Sequence, residues 1–157
     1  MNRHTSRREF LLVAGGVAAS VGLASVIAVE PARSTPVAMQ EAIRKVVGSA
    51  AVTPGRVKLE LPPMVENGNT VPLTVSVESP MTEADHVRAI HVFTEKNPQP
   101  DVVACRFGPR AGRARVATRI RLADTQTVIA ISELSDGSFW SASATVVVTL
   151  AACLEDV

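Results

Sequence analysis

The pattern of hydrophobic and polar positions divides the chain into three parts. Residues 11–29 form an uncharged and mildly apolar run. Residues 39–47 place apolar side chains at helical spacing, and from residue 56 onward the repeat shortens to the two-residue period of strands. Each part therefore predicts a different kind of element.

The middle part predicts one short helix before the β-rich remainder. Arg44 and Lys45 lie near its C-terminal end, where the helix dipole favours cations, and Gly48 is expected to end it. The apolar residues of its face are Met39, Ile43, Val46 and Val47.

The remainder predicts seven strands. Turn-forming residues recur between them at intervals of about eight to twelve positions, and residues 66–69 (ENGN) are interpreted as a tight hairpin turn. The connections are too short for the helices that join parallel strands. The sequence therefore favours a mainly β fold, an immunoglobulin-like antiparallel β-sandwich with a short N-terminal helix. The predicted strands are 56–61, 70–78, 87–94, 101–107, 113–122, 126–135 and 139–150.

Alternation within these runs separates a core face from an outer face. Valine and leucine occupy every second position of 71–77, which assigns one face of that strand to the core. In the run 113–122 the inward residues are Ala114, Val116, Ile120 and Leu122. The outward residues, called the arginine row below, are Arg113, Arg115, Arg119 and Arg121. This row is either a solvated surface or a contact surface for an acidic partner or an anion.

The first part of the chain has the features of an export signal. Arg7 and Arg8 precede an apolar run that is only mildly hydrophobic for its length, which is typical of a twin-arginine signal. We therefore assign residues 1–38 to a signal and residues 39–157 to one domain that is exported to the periplasm. Cleavage after residue 28 and after residue 38 both remain open, as does an uncleaved membrane anchor.

Composition narrows the possible functions. From residue 39 onward there are 12 lysines and arginines against 13 aspartates and glutamates, a net charge of −1, which gives no indication of nucleic-acid binding. His91 alternates with Ala89 and Phe93 and is interpreted as a partly buried histidine with satisfied hydrogen bonds. No metal-ligand spacing, haem-attachment motif or catalytic signature is present, so neither a metal site nor an enzyme is predicted.

The two cysteines are expected to differ in exposure. Cys105 alternates in phase with Val103 and Phe107 and should face the core, either as a buried free thiol or in a disulfide with Cys153. Cys153 follows the last predicted strand by three residues, which reach about 10 Å when extended. A thiol on such a tail suits delivery into the cleft of a partner.

Four segments after residue 39 carry a combined resemblance to a known family. They are 66–68 (ENG) with 71–73 (VPL), 90–98 (IHVFTEKNP), 117–123 (ATRIRLA) and 135–138 (SDGS). Together they resemble the SoxY family of periplasmic sulfur carriers, and the resemblance extends from the predicted helix at Met39 to Cys153. Members of that family also carry a twin-arginine signal.

The resemblance implies a non-enzymatic carrier that needs no cofactor. Its domain would pair with a SoxZ-like β-sandwich subunit and hold thiosulfate-derived sulfur covalently on Cys153. Sox enzymes, including a c-type cytochrome, would act on that sulfur, and no membrane would be involved after signal cleavage. Arg119 and Arg121 are assigned to partner binding.

The tail differs from the family pattern. Such carriers end in Gly-Gly-Cys-Gly-Gly, whereas residues 151–157 of this chain are AACLEDV. The alternative function is therefore a structural or binding subunit of a Sox-like complex that is not loaded with sulfur.

Overall fold

The computed structural model describes residues 35–150. The predicted signal with Arg7 and Arg8, and the carboxy-terminal residues with Cys153, lie outside the described residues. Between residues 35 and 150, no helix combines the length and the hydrophobicity needed to cross a membrane.

The amino-terminal helix, α1, spans Pro36–Val47. The Thr35 hydroxyl caps it by accepting a hydrogen bond at 3.2 Å from the backbone N–H three residues on. Gly48, with a φ of 62°, ends it and donates its N–H to the Arg44 carbonyl at 2.8 Å. The predicted helix is confirmed. It begins three residues before the predicted domain start at Met39, because a proline in the first turn continues the helix without an apolar signal.

Nine strands follow within the described residues. They are β1 Val52–Pro54, β2 Val57–Glu60, β3 Met64–Asn67, β4 Val71–Val77, β5 Val87–Thr94, β6 Asp101–Arg106, β7 Ala114–Ile120, β8 Gln126–Leu134 and β9 Phe139–Leu150. The larger sheet has the order β1-β9-β8-β5-β6, with β3 also paired to β9, and the smaller has the order β2-β4-β7. All seven predicted strands are confirmed, as is the mainly β fold.

The sequence missed two short strands, β1 and β3. Both run parallel to β9, β1 beside its beginning (Val52 opposite Phe139) and β3 beside its end (Val65 opposite Val148). Three or four residues next to prolines are too few to display a two-residue period. The other strand pairs are antiparallel, as expected.

The turn at residues 66–69 forms, but the predicted hairpin is wrong. The Asn67 side-chain oxygen accepts a hydrogen bond at 2.8 Å from the Asn69 N–H, which makes an Asx turn. β3 pairs with β9, whereas β4 pairs with β2 and β7, so the turn connects two sheets. The residues of the turn determine that the chain bends here. Contacts with the other strands determine which strands the flanking segments pair with.

One hydrophobic cluster fills the space between the sheets. Every second side chain of β4 is buried there, as the alternation predicted, and packs against inward residues of β5, β8 and β9. The residues with no exposed surface include Val71, Val75, Ile90, Val128 and Val146.

A second cluster attaches α1 to the outer face of the larger sheet. Met39 and Ile43, at 5% and 8% exposure, pack with Phe93, Ile131 and Phe139. The described part of the chain therefore has three layers: α1, the larger sheet and the smaller sheet.

Candidate functional site

The end of β9 sets the place from which the chain continues towards Cys153. The Gly68 N–H donates a hydrogen bond to the Leu150 carbonyl at 2.9 Å, and the Thr149 hydroxyl donates to the Glu66 carbonyl at 3.1 Å. Cys153 itself lies outside the described residues, and three residues carry its Cα at most about 10 Å from that of Leu150. The predicted sulfur-bearing residue therefore follows, within about 10 Å, a strand end that hydrogen bonds hold in place.

The arginine row is exposed on the smaller sheet, as predicted. Arg115 and Arg119 lie within β7, an edge strand, while Arg113 precedes that strand and Arg121 follows it. None of the four forms an ion pair with any residue from 35 to 150. Their charges are therefore not neutralised by direct pairing within the described part of the chain.

Arg119 and Arg121 also line an open groove between the start of β6 and the end of β7. Its volume is about 410 Å³. The charged lining residues are two arginines and one aspartate. The net charge of the lining is therefore positive, which suits an anionic group. The other lining residues are Asn97, Pro98, Gln99, Asp101, Val102 and Ile120.

Asn97 holds the rim of this groove in place. Its side-chain NH₂ donates to the Arg121 carbonyl at 2.8 Å, and its side-chain oxygen accepts from the Ala123 N–H at 2.9 Å and from the Gln126 side chain at 3.0 Å. Asn97 is only 7% exposed, so these bonds form away from most of the solvent. Asn97 lies in the connection between the predicted strands 87–94 and 101–107, and no local signal distinguishes a structural asparagine of this kind from an ordinary turn residue.

Asp101 adds an unsatisfied acceptor to the groove. Its Oδ1 is buried and has no hydrogen-bond partner among the described residues. A buried oxygen without a donor is unfavourable.

Gly68 joins the groove to the end of β9. Besides its bond to Leu150, its carbonyl accepts the Leu122 N–H at 2.9 Å. Hydrogen-bonded neighbours of this kind lie about 4.8 Å apart, so two steps place Leu150 roughly 10 Å from Leu122, the neighbour of Arg121. The origin of the tail and the arginine-lined groove therefore share one end of the sandwich.

Cys105 faces the inner side of β6, in phase with Val103 and Phe107, as predicted. Its expected full burial is wrong: the thiol is half-buried, because β6 is an edge strand. The exposure of Cys105 depends on the order of the strands in the sheet, and the alternation of residues along one strand gives no information about that order. A disulfide with Cys153 stays an untested alternative.

His91 is partly buried, as expected, and its ring stacks on Phe93 with centroids 6.2 Å apart. The expected satisfaction of its hydrogen bonds is wrong, since the buried Nδ1 has no partner among the described residues. Between residues 35 and 150 no three His, Cys, Asp or Glu side chains are placed to hold a metal ion.

Two carboxyl groups with a lowered pKa lie outside the groove. The Glu60 pKa is lowered mainly by a hydrogen bond from Lys58, whose Nζ is 2.6 Å from the carboxylate. The Asp136 pKa is lowered mainly by the hydrogen bond from the Ser138 hydroxyl at 2.7 Å. Both carboxylates belong to exposed local structure.

Comparison with known proteins identifies the family. The family model for sulfur oxidation protein SoxY matches residues 43–153, which is most of the chain. The chain belongs to the SoxY family. The sulfur carrier protein SoxY from Chlorobium limicola f thiosulfatophilum is similar in structure, with 27% identity, a TM-score of 0.62, and coverage of 73% of this chain and 98% of that chain.

Superoxide reductases share the fold of this SoxY-family domain. The neelaredoxin from Ignicoccus hospitalis is 22% identical, with a TM-score of 0.54 over 60% of this chain and 80% of that chain. The superoxide reductase from Nanoarchaeum equitans is 13% identical, with a TM-score of 0.51 over 60% of this chain and 99% of that chain. No curated protein matches the sequence. The SoxY matches support a carrier role in sulfur oxidation, whereas the reductase matches describe the fold alone.

Proposed function

We propose that this SoxY-family chain is a periplasmic carrier that holds thiosulfate-derived sulfur covalently on Cys153. The observation that carries the proposal is that the family match extends through residue 153, whereas the last strand ends at Leu150. The thiol thus follows a hydrogen-bonded strand end by three residues. A tether of that length lets the sulfur project into a neighbouring protein while the domain supplies the docking surface.

Loading of the carrier is an oxidation. The Cys153 sulfur forms a bond to the outer sulfur of thiosulfate, the thiol proton goes to solvent, and two electrons leave to a partner c-type cytochrome. No bond within thiosulfate breaks in this step. The chain contributes the thiol and its position, and the redox chemistry belongs to the partner.

The tail sequence supports the second candidate, a subunit that is not loaded with sulfur. Leu154 and Glu155 follow the cysteine where the family has glycines, and Asp156 comes directly after them. Bulkier residues reduce backbone freedom, and two carboxylates disfavour both the thiolate and an anionic adduct. In this second function the chain would bind its partner proteins without carrying sulfur.

The intact mass of the native exported protein separates the two functions. A carrier should show a sulfur or thiosulfonate adduct, which Cys153→Ser abolishes and Cys105→Ser, the control with a half-buried thiol, leaves in place. An unmodified mass from cells that are oxidising thiosulfate would instead assign the chain to the non-loading function.

We further propose a heterodimer with a SoxZ-like β-sandwich subunit, in which Arg119 and Arg121 contact an acidic surface of the partner. Their exposure and lack of ion pairs in residues 35–150 support this contact. Arg119→Glu with Arg121→Glu should reduce co-purification of the partner. The matched control reverses Arg106 and Arg110, which are also exposed. Equal yields from both pairs would assign the row to solvent.

Export through the twin-arginine pathway is the remaining part of the proposal. It rests on Arg7 and Arg8 in front of the apolar run. Replacing both with lysine should leave the precursor in the cytoplasm. Normal periplasmic accumulation of that variant would contradict this route.

A further inference from the structure

We infer that the acidic tail of this chain, residues 154–157, docks in the groove between β6 and β7 and holds Cys153 against the domain. The occupant is the chain's own segment LEDV, and its receptor is the pair Arg119 and Arg121. The inference concerns the resting protein and holds whether or not Cys153 carries sulfur.

Chain length permits this contact. The tail begins roughly 10 Å from Leu122, because Gly68 bridges Leu150 and Leu122 by two hydrogen bonds. Five extended residues beyond Leu150 span up to about 17 Å, so Glu155 reaches the groove with length to spare. Cys153 lies between these two points along the chain and is carried to the groove mouth when the tail docks.

Charge complementarity identifies the occupant. The tail presents Glu155 and Asp156, and the groove presents two arginines that form no ion pair with residues 35–150. Asp101 opposes one of these charges, which leaves the groove net positive.

Docking predicts that Cys153 is shielded and that salt exposes it. Two solvent-exposed ion pairs slow the reaction of Cys153 with iodoacetamide by about threefold to tenfold at low ionic strength, and salt removes this protection. Peptide mass analysis of the full chain separates Cys153 labelling from Cys105 labelling.

The decisive variant is Arg119→Gln with Arg121→Gln. If the tail docks, Cys153 labelling accelerates by about threefold to tenfold and loses its salt dependence. Without docking, removal of two positive charges leaves the rate unchanged or lowers it, because nearby cations favour the thiolate. The control pair Arg106→Gln and Arg110→Gln should label at the wild-type rate.

A charge exchange completes the test. Glu155→Arg with Asp156→Arg should release the tail, and combining it with Arg119→Glu and Arg121→Glu should restore slow, salt-sensitive labelling. An unchanged melting transition confirms that each variant is folded. Labelling of the Arg119→Gln, Arg121→Gln protein at or below the wild-type rate, or failure of the exchanged charges to restore protection, overturns the inference. Neither result affects the mass test for sulfur loading.

Discussion

The outer faces of the two sheets differ in whether another element covers them. On the larger sheet, Phe93, Ile131 and Phe139 are buried beneath α1. On the smaller sheet, the outward positions include Arg115 and Arg119, which no other described element covers. The first face therefore contributes to the stability of the domain, whereas the second leaves its charged side chains exposed to solvent. Substitutions on the two faces should affect different measurements.

The largest expected effect is on the covered face. Phe93→Ala should lower the free energy of unfolding by about 3–5 kcal/mol, because Phe93 is fully buried between α1 and the sheet. Urea denaturation measures this loss. A change below about 1 kcal/mol would show that α1 contributes little to stability and would remove the contrast between the faces.

The start of α1 should have the next largest effect. A protein that begins at Met39 lacks the Thr35 cap and the first helical turn, so it should be less stable than one that begins at Val29 by about 1–2 kcal/mol. We therefore expect signal cleavage to occur upstream of Thr35, which the amino-terminal mass of the exported protein reports. Equal stability of the two proteins would remove this reason for favouring cleavage after Ala28.

Substitutions on the exposed outer face of the smaller sheet should barely change the free energy of unfolding. Arg119→Glu with Arg121→Glu should alter the free energy of unfolding by no more than about 0.5 kcal/mol, since both side chains are exposed and form no ion pair in residues 35–150. Thermal denaturation checks this. A large loss of stability would mean that the arginines are structural and that their effect on partner binding is indirect.

The smallest effect concerns the turn between β8 and β9. Hydrogen bonds from Ser138 lower the Asp136 pKa, so the ionised carboxylate stabilises the fold. This contribution is complete above the unfolded pKa and is lost as the pH falls through the lower folded pKa. Asp136→Asn should therefore flatten the dependence of stability on pH below about pH 4. Parallel pH profiles for the two proteins would contradict this assignment.

The same contrast explains what the sequence could predict. Both the buried positions of β4 and the exposed arginine row follow from a two-residue period, which is local information. The groove was not predictable, because it requires β6 and β7, from different sheets, to lie side by side and Asn97 to bond to residues 24 to 29 positions away. The exposure of Cys105 was misjudged for a similar reason: alternation gives the direction of a side chain, and only strand order shows that β6 is an edge.

The placement of the arginine row on β7 also bears on self-association. Among the strands between residues 35 and 150, β7 has one neighbour, β4, so the amide and carbonyl groups along its other edge are a template for pairing with a second chain. Charged side chains on an edge strand oppose such pairing, because stacking identical strands brings like charges together. We therefore expect Arg115 and Arg119 to oppose aggregation through this edge. Replacing both arginines with neutral residues should therefore increase self-association of the protein.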